Sequence, residues 1–168
     1  MKTNILRIAL LAVVIFTMNS CSSDSSEVAD TNTNLTSKVV DYDYNEMEVT
    51  TMDLINKYRV SVGLNPLERI NHISFKSEEH DEYMISNKVV NHNDFVARSE
   101  NIIKVLGAKK VGENVAYNFN TAESVVAAWL NSPAHKENIV GNYTHFGIAI
   151  KMDPDTGKKY YTNIFAKI

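Results

Sequence analysis

Two histidines and one glutamate are the side chains of this 168-residue protein best suited to chemistry. They stand in three short segments, Asn91-His92-Asn93-Asp94, Gly112-Glu113-Asn114-Val115-Ala116 and Trp129-Leu130-Asn131-Ser132-Pro133-Ala134-His135. Two imidazoles and a carboxylate can hold a transition-metal ion with a place left for water, or exchange protons as an acid/base set. Ser132, just before His135, raises a third possibility, a serine nucleophile with Glu113 as its orienting acid. Its flanks lack the sharp glycine-rich turn that exposes such a serine, so it reads instead as a residue that caps or ends a helix. Spacing alone does not bring His92 to His135, and the glycines form no phosphate-binding loop.

The surrounding elements must aim these three side chains. Met47, Thr51, Leu54, Ile55, Tyr58 and Val62 recur at helical spacing until Gly63 and Asn65-Pro66 stop the pattern. A second helical pattern puts Ile73, Ser77, His80 and Met84 on one face and fades at Asn87-Lys88. On that face His80 reads as a hydrogen-bonded core residue rather than a ligand. A shorter helix is predicted from Val96 to Leu106, ended by Gly107. Val111 to Tyr117 alternates as a strand, with Val111, Glu113, Val115 and Tyr117 on one side. An unpaired carboxylate among those neighbours is costly to desolvate, so Glu113 requires a cationic or metal partner.

Asn120 with Glu123 predicts a helix start, and Ala122, Val125, Val126, Trp129 and Leu130 its inward face, with Trp129 a core anchor. Ser132-Pro133 ends that helix. Phe146 to Met152 and Tyr160 to Phe165, joined by Asp153-Pro154-Asp155-Thr156-Gly157, predict a β-hairpin. His72 and His145 read as ordinary surface or strand residues, and Lys109-Lys110 as a solvated pair. Helices followed by mixed strands point to an α+β layered domain.

The ends and the composition bound the setting. Lys2 and Arg7, the apolar run from Ile5 to Phe16 and the small or polar residues that follow make residues 1–20 a secretory signal, too short to span a bilayer comfortably. Cys21, the only cysteine, resembles the lipid-modified cysteine of bacterial lipoproteins, although Met18-Asn19-Ser20 fits the usual preceding pattern loosely. The alternative is a soluble secreted chain with one reactive free thiol. Residues 21–43 are rich in Ser, Thr, Asp and Asn and read as a disordered tether, leaving one domain over residues 44–168. Of 17 basic residues two precede Cys21, so 15 remain against 20 acidic ones, a net charge near −5 that makes nucleic acid an unfavourable partner. The expected setting is a bacterial cell envelope, with the chain held to a membrane by lipid on Cys21.

Taken together and in order, the motifs resemble the CAP superfamily of cysteine-rich secretory proteins, venom antigens, pathogenesis-related proteins and bacterial SCP-like extracellular domains. The resemblance rests on Asn56-Lys57-Tyr58-Arg59, His80 with Met84, His92, Gly112 to Ala116, Trp129 to Ile139, Phe146-Gly147-Ile148-Ala149 and Tyr160 to Phe165. It implies a three-layer α-β-α sandwich with a cleft that usually carries two histidines and two acids. His92, Glu113 and His135 match three of those positions. The fourth falls near Asn131 or Ser132, which are not acidic, and Asn163 stands where glutamine is frequent. Asn114, Ser132, Asn131 and His80 are expected to support the cleft.

Two functions remain open on this resemblance. One is a binding module whose cleft takes a small ligand, lipid, glycan fragment or protein. The other is a hydrolase in which zinc or another divalent ion on His92, His135 and Glu113 activates water, with Glu113 as the catalytic proton acceptor. A metal-free polar cluster, in which Glu113 fixes one imidazole tautomer, is the simplest alternative to the metal site.

Overall fold

The computed structural model describes residues 40–168. The expected signal segment, Cys21 and most of the expected tether lie outside the described residues. No described helix is long and apolar enough to cross a membrane.

Helix α1 spans Glu46–Ser61, the short strand β1 Glu68–Arg69, α2 Asn71–Asn87, α3 Phe95–Leu106 and β2 Lys110–Tyr117. Then follow α4 at Ala122–Asn131, α5 at Pro133–Ile139, β3 at His145–Met152 and β4 at Lys159–Lys167. α1 begins with a reciprocal cap in which the Asn45 side chain accepts from the Glu48 amide and the Glu48 carboxylate accepts from the Asn45 amide, both at 2.9 Å. α3 ends at Gly107, whose φ of 70° lies in the left-handed region that glycine tolerates.

Four features differ from the sequence expectation. α4 is capped by Thr121 with Ser124, not by Asn120 with Glu123, because the helix starts one residue later. Ser132-Pro133 does end α4, yet the same proline opens α5, where its missing N–H is not needed. β1 has two exposed residues and so no periodicity to betray it. Tyr42, placed in the tether by composition, is half-buried and donates its hydroxyl to Glu48 at 2.9 Å.

The strands form one sheet in the order β1-β3-β4-β2, parallel between β1 and β3 and antiparallel elsewhere. In this register Glu113 and Gly147 both pair with Ile164, so they share a face with Val111, Val115, Thr162 and Ala166. That face packs on α2 and α3 through Ile73, Ile102, Ile164 and Ala166. The other face carries Ala116, Phe146, Ile148, Ile150, Tyr161 and Phe165 against Met52 and Ile55 of α1, Val125 and Trp129 of α4 and Ile139 of α5. The fold is therefore a three-layer α-β-α sandwich. Gly147 permits the close seat of α2, since a Cβ there would strike the backbone of Ile73 and Ser74.

Side chains cover β3 where the short β1 stops, and they cover the β2 edge as well. On β3 the amides of Ile148 and Ile150 donate to Ser74 Oγ at 3.1 Å and Glu48 Oε1 at 2.8 Å. On β2 the carbonyls of Glu113 and Val115 accept from Asn138 Nδ2 and Trp129 Nε1, both at 3.1 Å.

Candidate functional site

β2, as an edge strand, lets groups from both helical layers meet around it. Glu113, only 7% exposed, points to the α2–α3 side. Its partner there is Arg98 of α3, whose Nε and Nη2 donate to Oε2 and Oε1, each at 2.9 Å. The cation demanded by the strand pattern is thus an arginine that sequence reasoning passed over. His92, in the loop between α2 and α3, brings Nδ1 to 2.8 Å from Glu113 Oε1. His80 lies on the α2 face as expected, with Nε2 2.8 Å from the Asn91 carbonyl and 3.9 Å from Glu113 Oε1. Burial lowers its pKa, opposed by the Asn91 carbonyl and Glu113.

His135 approaches from the other layer, on α5. Its Nδ1 is 2.8 Å from Ser132 Oγ, and its carbonyl accepts from Asn114 Nδ2 at 3.0 Å. Asn138 Nδ2 in turn donates to Asn114 Oδ1 at 2.9 Å, so Asn114 and Asn138 fasten α5 to the strand. Arg59 secures the far end of α5 by donating to the carbonyls of Ile139 and Gly141 at 2.7 and 3.0 Å. The His135 pKa is lowered, chiefly by burial and then by the neighbouring His92.

Of the remaining expected support residues, Ser132 serves His135 and Asn131 is exposed at the end of α4. His72 and His145 sit apart, bonded to Asn101 and Thr144. Asn163 is fully buried beside Asn114 and Ile148, with neither amide atom bonded to the protein. His92 also borders a depression of about 510 Å³ shared with Asn93, Asp94, Phe95, Val96 and Ala97.

The donor set does not fit a metal site built on His92, His135 and Glu113. Both Glu113 oxygens are occupied by the Arg98 fork, and among the described residues no three His, Cys, Asp or Glu side chains are placed to hold an ion. What the site provides instead is a half-exposed imidazole anchored on a buried ion pair, a second imidazole across β2, and an adjoining depression.

Comparisons with known proteins agree with this architecture. Among solved structures, an outer surface protein of Borrelia burgdorferi superposes with a TM-score of 0.64 at 22% identity, over 75% of this chain and 96% of that one. An extracellular SCP-domain protein of Bacillus anthracis gives 0.63 at 22% identity, over 72% of this chain and 40% of that one. At such identities the likeness is one of fold. Two Bacillus subtilis relatives, the uncharacterized membrane protein YlbC and the uncharacterized protein YkwD, are each 31% identical, over 71% and 74% of this chain. The chain spans 34% and 48% of their respective lengths. The cysteine-rich secretory protein family, CAP, matches residues 52–165, and with that match and this sandwich the chain belongs to the CAP family.

Proposed function

We propose that the protein is an extracytoplasmic, envelope-attached binding module whose cleft takes a small ligand, lipid, glycan fragment or partner protein through His92 and His135. The observation that carries this reading is the Arg98 fork on Glu113. Both oxygens of that carboxylate already accept from a guanidinium and an imidazole, so the residue a hydrolase needs as its base is engaged within the protein. The departure at Asn131 and Ser132 removes the second acid as well. Attachment at the envelope is supported by the signal-like start, by Cys21, and by relatives described as outer-surface, extracellular or membrane proteins.

The test uses the full-length protein in detergent, isotopically labelled in histidine, against peptides, phospholipid vesicles and peptidoglycan fragments. A probe that shifts the His92 and His135 ring signals without being converted to product supports the binding reading. Turnover of any probe that His92→Ala and His135→Ala both abolish, together with about one equivalent of zinc bound, establishes the hydrolase instead. A panel in which no probe moves either ring removes the cleft as the binding surface.

A further inference from the structure

We infer that Arg98 is the positioning residue of the cleft: it sets His92 with its proton on Nδ1 and its Nε2 lone pair bare, ready to accept from a ligand N–H or O–H. The inference deepens the binding reading and rests on it for the use made of that lone pair.

A guanidinium has donors only, so the fork from Arg98 Nε and Nη2 makes Glu113 an acceptor on both oxygens. The group 2.8 Å from Oε1 must then donate, and that group is His92 Nδ1. A neutral imidazole with its proton on Nδ1 keeps an unprotonated Nε2, here on a side chain 52% exposed. His80 carries the opposite tautomer, because the Asn91 carbonyl 2.8 Å from its Nε2 can only accept.

The same arginine also grips the loop. Its Nη1 donates to the Asn93 carbonyl at 2.6 Å, while His80 donates to the Asn91 carbonyl, so the backbone is held on either side of His92. At the end of this loop Asp94 adopts the left-handed φ of 59°, and its carbonyl accepts from the Arg98 amide at 3.1 Å, which starts α3. One planar fork thus sets both the place of His92 and its proton. A lysine ammonium cannot span the two Glu113 oxygens and Asn93 together.

Long-range proton–nitrogen correlation of histidine side chains in the full-length protein, at mildly alkaline pH, reads the tautomers directly. The expected result is a pyridine-type Nε2 for His92 and a pyridine-type Nδ1 for His80. In Arg98→Lys the pyridine-type Nε2 signal of His92 is lost to a mixture, while His80 keeps its pattern. A wild-type His92 protonated on Nε2, or an Arg98→Lys protein with the His92 pattern intact, overturns the inference. Arg98→Met removes every contact of the guanidinium and should weaken the bias further than Arg98→Lys does; if it fails to fold, the wild type and Arg98→Lys still decide. Should the tautomers be as stated while no probe binds, the binding reading fails and the positioning role stands. A bound probe beside a His92 protonated on Nε2 has the reverse meaning.

Discussion

A carboxylate buried in mid-strand must be neutralised where it stands, and the bidentate Arg98 does so while sparing Glu113 any need for a metal. Buried beside this pair, the His80 imidazole carries a cost of its own. His80, 1% exposed, has its pKa lowered mainly by burial, so the folded protein binds its proton less readily than the unfolded chain does. Its contribution to stability is therefore present above the unfolded value of about 6.5 and is lost progressively as pH falls from that value through the lowered folded one. Asp81, its neighbour on α2, has the opposite sign. Burial raises its pKa well above the ordinary carboxylate range despite the hydroxyl donated by Thr162 at 2.6 Å, so acidification relieves a penalty there. Because the two slopes oppose each other, a variant must isolate one. His80→Gln keeps an N–H donor for the Asn91 carbonyl but does not titrate. Urea midpoints measured from about pH 8 down to about pH 5.5 should show the wild type losing stability relative to His80→Gln across that window. A difference that stays constant with pH would sink this account of His80.

Elements are held by side chains that finish one another's backbone bonds, and Glu48 does this for both a helix and a strand. Its carboxylate accepts from the Asn45 amide at the start of α1, from the Ile150 amide at the edge of β3, and from the Tyr42 hydroxyl. Glu48→Ala loses a cap worth about 1 kcal/mol and orphans a buried amide at about 1–3 kcal/mol, a total near 3 kcal/mol. Thr121→Ala, which removes an exposed cap alone, should cost about 1 kcal/mol. Equal losses in thermal or denaturant unfolding would refute the edge role of Glu48. The same cross-element bonds mark what was legible beforehand. α1, α2, β2 and the β3–β4 hairpin announce themselves by period, and Glu113 by its company of valines. α5 was hidden because a proline that stops one helix also starts another. Arg98 was hidden because one cation in a short amphipathic helix reads as solvated; only the demand of Glu113, 15 residues on, points to it. The expectation that His92 and His135 share a cleft came from resemblance, since the two residues belong to segments on opposite sides of one edge strand.

At the scale of the whole molecule, the strand order β1-β3-β4-β2 puts the start of the described chain and the His92–Glu113 pair at opposite edges of the sheet. The segment leading into α1 docks at the β1–β3 side, where Tyr44 meets Ser74 Oγ at 2.8 Å, Arg69 lies over the Tyr44 ring and Tyr42 meets Glu48. The His92–Glu113 cleft opens at β2, the opposite edge, three strand spacings or roughly 14 Å across the sheet. The described chain thus enters the domain on the side away from His92 and Glu113, and if lipid is carried on Cys21 the expected outcome is a cleft left free. Two measurements on Cys21→Ser follow. The variant should move from the membrane fraction to the soluble fraction, because loss of the acyl chains removes the apolar surface that holds the protein to the bilayer. Whatever probe binds the wild type in detergent should bind the released variant with an affinity unchanged within about threefold, a difference under about 0.7 kcal/mol. Unaltered membrane association would refute lipid attachment at Cys21. Release accompanied by a large change in affinity would instead mean that the anchored segment reaches the cleft.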